Sequence, residues 1–177
     1  MKEEFIEEKL LNNRTLIINS EINNISAMKL IKELLYLDSL NSDDITIYIN
    51  SLGGSVTDGL AIIDTFNTVK SDIITVCVGM CASMAAIILS SGTKGKRLIL
   101  PNATVMIHQP YAGIEGRAAD IEIEASRISD VKNKLIDILA KNTKKNTLQV
   151  KNDIERNYYM NALEAKKYGI VDKKIGV

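Results

Sequence analysis

The chain has no tryptophan, two phenylalanines, two prolines, two cysteines and one histidine among 177 residues. Without Trp and with so little Phe, a packed core has to be built mainly from aliphatic side chains. Cys77 and Cys81 stand four positions apart. They read as free buried thiols of a reducing compartment, not as a disulfide framework. One His and two closely spaced Cys cannot build a usual zinc site, so no metal is expected. No phosphate-cradling P-loop occurs, and no cofactor is expected. Net charge is also missing, since 22 Lys+Arg balance 22 Asp+Glu. That argues against a dominant nucleic-acid or anionic-membrane role and favours self-association. No apolar run of about 18 residues is present. The acidic start at Met1–Glu8 is neither a signal nor a transit peptide, and a cytoplasmic location is expected.

What is present is ordinary globular material, 46% hydrophobic and 25% charged, of a length that usually makes one domain with a substantial core. Apolar residues at helical spacing predict helices over 2–11, 25–38 (capped by Asn24), 55–70, 82–91 and 117–141. Thr147 and Asn161 are candidate caps for two last helices, and Gly169 is a candidate stop. Short apolar runs predict strands over 14–19, 45–50, 73–78, 97–100 and 104–107, the first of them buried. Residues 111–116 are broken by glycine. Strands alternating with helices imply an α/β fold with largely parallel strands.

One constellation carries chemistry. Ser83 lies in Gly79-Met-Cys-Ala-Ser-Met-Ala, at a predicted strand-to-helix junction. His108 follows 25 positions later, in Val-Met-Ile-His-Gln-Pro. A serine hydroxyl needs a general base to become a nucleophile, and His108 is the sole imidazole. It also needs donors for the developing oxyanion. The first-turn N–H groups of a helix have no internal acceptor, which makes the Met84 N–H one candidate. Gly53-Gly54, opening another helix, offers a second N–H with no side chain in the way. Taken singly, each has a bland reading: Ser83 as a small packing residue, His108 as a structural strand-edge His, Gly53-Gly54 as a turn. Their joint occurrence is what points to a serine hydrolase.

The chain resembles the ClpP family, the proteolytic subunits of Clp proteases, from about Lys9 to Asp172. The resemblance rests on Tyr48-Ile-Asn-Ser-Leu-Gly-Gly-Ser-Val, the Ser83 segment, Lys94-Gly-Lys-Arg, Leu100-Pro-Asn-Ala-Thr-Val-Met-Ile-His-Gln-Pro, Asp120-Ile-Glu-Ile and Ala165-Lys-Lys-Tyr-Gly-Ile-Val-Asp. It implies a ClpP/crotonase-like spiral of ββα units. The expected parts are a short N-terminal segment at 1–8, a head at 9–110, a handle strand and helix at about 111–141, and a second head part at 142–177. It implies Ser83 as nucleophile, His108 as base, and Gly54 and Met84 as oxyanion donors. It further implies two stacked seven-membered rings enclosing a chamber, fed with unfolded polypeptide by a Clp-class unfolding ATPase. Gln109, Glu155 and Arg156 match ring-to-ring contact residues, and Tyr48, Thr46, Thr68 and Ile175 match ATPase-docking positions.

The chain departs from the family at the third triad position, where Asp is usual and Asn157 stands. An amide can accept from imidazole but cannot offset imidazolium charge. Asp153 and Glu155 are the nearby carboxylates that could compensate. Thr46 and Thr68 replace aromatics of the docking surface, which reduces apolar area there. Leu52 replaces a usual proline of the Ser-x-Gly-Gly turn. These changes suit a specialised second paralogue in a homo- or hetero-tetradecamer. Two other readings stand beside the peptidase: a weakly active or non-catalytic structural subunit, and a crotonase-like acyl-CoA enzyme. Cys81 is the alternative nucleophile.

Overall fold

A computed structural model describes residues 2–111, 113 and 115–176. The elements run α1 (Lys2–Asn12), β1 (Thr15–Ile18), α2 (Asn24–Leu40), β2 (Ile45–Ser51), α3 (Val56–Phe66), β3 (Ile73–Ala82), α4 (Met84–Ser90). There follow β4 (Arg97–Ile99), β5 (Thr104–Ile107), α5 (Ala118–Thr143), α6 (Thr147–Asp153), β6 (Tyr158–Met160), α7 (Ala162–Tyr168) and β7 (Lys173–Lys174). The strands form one sheet in the order β1-β2-β3-β4-β7, with β5 pairing β3 and β6 pairing β5. Every pairing is parallel except β5 with β6. The fold is the α/β type expected, and parallel strands need helical crossovers, which the alternation supplies.

The core is aliphatic, as the shortage of aromatics requires. Ile22, Leu34, Leu37, Ile45, Ile47, Ile49, Ile88 and Leu89 are all essentially fully enclosed. Helix α4 is buried along its whole length, so it runs through the core. Helix α5 behaves differently. All its buried residues lie from Leu135 onward, while Ile121 and Ile123 near its start are exposed. Its N-terminal part therefore stands clear of the core. The expected handle strand at 111–116 includes Ala112 and Ile114, which lie outside the described residues.

Several boundaries differ from the sequence reading. The cap of α2 is Asn23, not Asn24: its side chain accepts from the Ser26 N–H, and Ser26 Oγ accepts from the Asn23 N–H. The cap of α6 is Asn146, one residue before Thr147. Helix α3 ends at Phe66, where the Asn67 side chain donates to the Ile63 carbonyl. Strand β1 is not buried throughout, because it is an edge strand and Ile17 is half exposed. Asn161 and Gly169 do cap and end α7, with Gly169 at a φ of +99°.

One buried ion pair ties distant parts together. Arg97 and Asp172 are joined twice, Nη2 to Oδ1 at 2.6 Å and Nε to Oδ2 at 2.9 Å. Arg97 Nη1 also donates to the carbonyls of Ser90 and Asn142. The ends of α4 and α5 are thereby fixed to β4 and to the segment entering β7.

Candidate active site

Strand β3 is longer than the 73–78 run because Gly79 is a bulge within it, not its end. Ile49 of β2 faces Cys77, yet Ser51, two residues on, faces Cys81. Two extra residues are accommodated in β3, which bends as bulged strands do. Gly79 takes a φ of +66°, and a Cβ there would stand 2.8 Å from Asn50 Oδ1. That oxygen accepts the Met80 N–H at 3.1 Å. The bend lets β3 change partners. Its first half pairs β4 through Thr75–Cys77, and its second half pairs β5 through Met80–Ala82. The strand thus delivers Ser83 beside the strand that leads to His108.

Ser83 sits in a sharp strand-to-helix turn, with φ +54° and ψ −126°. Such positive φ is costly for a residue with a side chain. Its N–H donates to the Met106 carbonyl at 2.9 Å, and its side chain caps nothing. The hydroxyl is therefore free of any structural duty in the helix it opens.

The glycine turn lies directly against this elbow. A Cβ on Gly53 would stand 2.8 Å from Ser83 Cβ and 3.0 Å from the Met84 nitrogen. Gly54 forms a parallel bridge with Ile22, and a Cβ there would come within 2.2 Å of the Ile22 carbonyl oxygen. That bridge uses the Gly53 carbonyl and the Ser55 N–H, leaving the Gly54 N–H outside it. Among the described residues, neither the Gly54 N–H nor the Met84 N–H meets an acceptor. The Met84 side chain is buried and packs over Gly59, which has no Cβ to obstruct it.

Ser83, Gly53, Gly54 and His108 line one open cleft of about 740 Å³. Glu21, Asn50, Leu52 and Tyr111 complete much of its wall. Met84 and Asn157 do not line it. Burial pushes the His108 pKa below the ordinary imidazole value, which keeps the ring neutral and able to take a proton. Among the described residues, the His108 ring makes no hydrogen bond, so the Ser83–His108 contact is not closed in this conformation. Asn157 is exposed and immediately precedes β6. Ile107 pairs Tyr158 in the antiparallel β5–β6 ladder. Continuing that register by one residue sets Asn157 opposite His108.

Both carboxylates near Asn157 have partners elsewhere. Asp153 accepts the Tyr168 hydroxyl at 2.8 Å, and Glu155 pairs with Lys132 at 3.6 Å. Cys81 is fully enclosed, and burial drives its thiol pKa well up, so it is a packing residue and not a nucleophile. Gln109 donates from its backbone N–H to the Ile154 carbonyl and from its side chain to the Glu155 carbonyl. Arg156 is exposed and has no ion-pair partner among the described residues.

Within one chain the four docking positions do not converge. Thr46 and Tyr48 share one face of β2, with Ile17 paired beside Tyr48. Thr68 follows α3 on the surface. Ile175 continues the β7 edge, its N–H donating to the Ile99 carbonyl, three strands from β2. The cleft walls contributed by Asn19, Ser20 and Glu21 are not anticipated by the sequence reading. Only their position just ahead of a helix cap marks them.

A model of the Clp protease family matches residues 2–176, all but the two ends of the chain. With Ser83 turned against a glycine pair and the sole imidazole in the same cleft, the chain belongs to the Clp protease family.

Proposed function

We propose that this chain is a serine endopeptidase subunit that cleaves unfolded polypeptide. The observation that carries the reading is the Ser83 elbow, held at φ +54° against Gly53, in the cleft that also holds His108. His108 removes the Ser83 Oγ proton as the oxygen attacks the scissile carbonyl. The Gly54 and Met84 N–H groups take the oxyanion. His108 then passes the proton to the leaving amine, and a water repeats the sequence on the acyl-enzyme. Asn157 orients the imidazole from the facing strand.

The subunit works as part of two stacked seven-membered rings served by a Clp-class ATPase. With Thr46 and Thr68 in place of aromatics, the ATPase engages mainly through a better-docking partner ring of a mixed assembly. A serine-directed phosphonate tests the chemistry. The parent protein is expected to be labelled at Ser83, and Ser83→Ala to lose the label. Labelling that survives Ser83→Ala rules out Ser83 as the nucleophile.

A second reading, a subunit that assembles but turns over little, is favoured by one observation. His108 holds neither Ser83 nor Asn157 by a hydrogen bond, and the third position is an amide and not a carboxylate. Phosphonate labelling separates the two readings, because a silent site leaves Ser83 unmodified.

A further inference from the structure

Lys132 lies on α5, 23 positions after Gln109, yet its Nζ donates to Gln109 Oε1 at 2.6 Å. The same ammonium stands 3.6 Å from Glu155 Oε2. Gln109 directly follows His108, and Glu155 precedes Asn157 by two residues. Two further bonds join the same segments: the Gln109 N–H to the Ile154 carbonyl at 2.7 Å, and Gln109 Nε2 to the Glu155 carbonyl at 3.1 Å. These contacts matter because β5 and β6 share only three paired positions. Beyond Ile107 and Tyr158, no ladder fixes the spacing of His108 from Asn157.

The Lys132 side chain is 23% exposed, against 60% for Glu155. An ammonium so withdrawn is screened less than one at the open surface, and a charged donor makes the stronger bond. Its position also fixes the Gln109 amide. With Nε2 on the Glu155 carbonyl, Oε1 is left to accept from Lys132 Nζ, which also stands near the Glu155 carboxylate. Removing the ammonium takes away the charged link of α5 to both residues and leaves the 154–157 segment held to β5 by the two Gln109 bonds alone.

We infer that Lys132 is a positioning residue, which acts through Gln109 and Glu155 to hold His108 and Asn157 in facing register. The inference rests on the peptidase reading for its kinetic consequence, but not for its structural one. It gives the projecting helix a direct grip on the base: a displacement of α5 at Lys132 reaches His108 through one side chain.

The test uses the assembled protein with Lys132→Met and Lys132→Arg. Turnover of a small fluorogenic peptide and the resonance of the single imidazole in histidine-labelled protein are both followed. Lys132→Met is expected to lower kcat by on the order of ten- to a hundred-fold, as misplacement near 1 Å does, with KM little changed. It is expected to move the His108 resonance, and Lys132→Arg to restore both. A Lys132→Met protein with parental kcat and an unmoved resonance overturns the inference. So does an arginine variant as impaired as the methionine one. If Lys132→Met does not fold, Lys132→Gln, which keeps a donor without charge, takes its place: a lowered kcat with a moved resonance supports the inference, and parental values of both overturn it. If the parent itself is not labelled by phosphonate and shows no turnover, the peptidase reading falls, and the His108 resonance alone decides the role of Lys132.

Discussion

Ile107 and Tyr158 are the last paired residues of the β5–β6 ladder, and its register carried one step further sets Asn157 opposite His108. On the peptidase reading proposed above, an amide then stands where a carboxylate is usual. An amide at that point can accept from the ring but contributes no charge to balance an imidazolium.

Asn157→Asp should therefore raise kcat on a small peptide. In serine-protease triads the reverse exchange lowers kcat by about 10⁴, so a gain of at least about ten-fold is expected here. The pH profile should move as well. In the parent, burial lowers the His108 pKa, so the neutral ring persists to a pH below the usual imidazole range. A carboxylate opposite favours the charged ring, and the acid limb of kcat/KM should shift upward. An unchanged rate in a properly assembled variant would show that Asn157 does not limit the reaction.

Gly53→Ala should abolish turnover while leaving most of the sheet intact. The added methyl meets Ser83 Cβ at 2.8 Å and the Met84 nitrogen at 3.0 Å, at a φ of +97°. Losing one oxyanion donor alone costs about 10²–10³ in kcat, and this change displaces the elbow too. Phosphonate labelling and circular dichroism together check the expectation.

Ser83→Gly should melt higher than Ser83→Ala. Both lose the hydroxyl, but only glycine is at ease at φ +54°, ψ −126°. Strain of this kind amounts to about 1–3 kcal/mol, partly offset by glycine's extra chain entropy. A net difference of about 1 kcal/mol corresponds to about 2–4 °C in Tm at this chain length. Equal melting points would show that the elbow carries no strain.

Asp172→Asn should destabilise the fold by about 3–5 kcal/mol, since it leaves a buried guanidinium without its counter-charge. Burial raises the Asp172 pKa, but bonds from the Arg97 guanidinium and from the Arg97 and Gly95 N–H groups outweigh it, and the net shift is downward. A carboxylate with a lowered folded pKa contributes stability above its unfolded value and loses it as pH falls through the folded one. Parent stability should accordingly fall with acidification below the ordinary carboxylate range, and the Asn variant should lack that component. Urea melts across pH measure both.

Much of this is legible in the sequence because it is local. Hydrophobic periodicity locates the helices, and short apolar runs locate five of the strands. Motif residues place Ser83, His108 and the glycine pair on strand ends and helix starts. Gly79 is harder, because a glycine inside a strand pattern can mark either a turn or a bulge. Asn50, whose side chain decides between them, lies 29 residues away. The Lys132–Gln109 and Arg97–Asp172 contacts leave no trace in spacing, since helix packing and sheet order bring their partners together. The caps Asn23 and Asn146 each differ by one position from the sequence reading, because a neighbouring Asn or Thr caps equally well on sequence grounds.

A single strand serves two neighbours in succession, switching between Cys77 and Met80. Side chains on a strand alternate from face to face, so the number of residues in that stretch decides which way everything after it points. Substituting within the stretch perturbs packing. Deleting or adding one residue there would invert the parity of the strand and turn the Ser83 hydroxyl from the cleft toward the core.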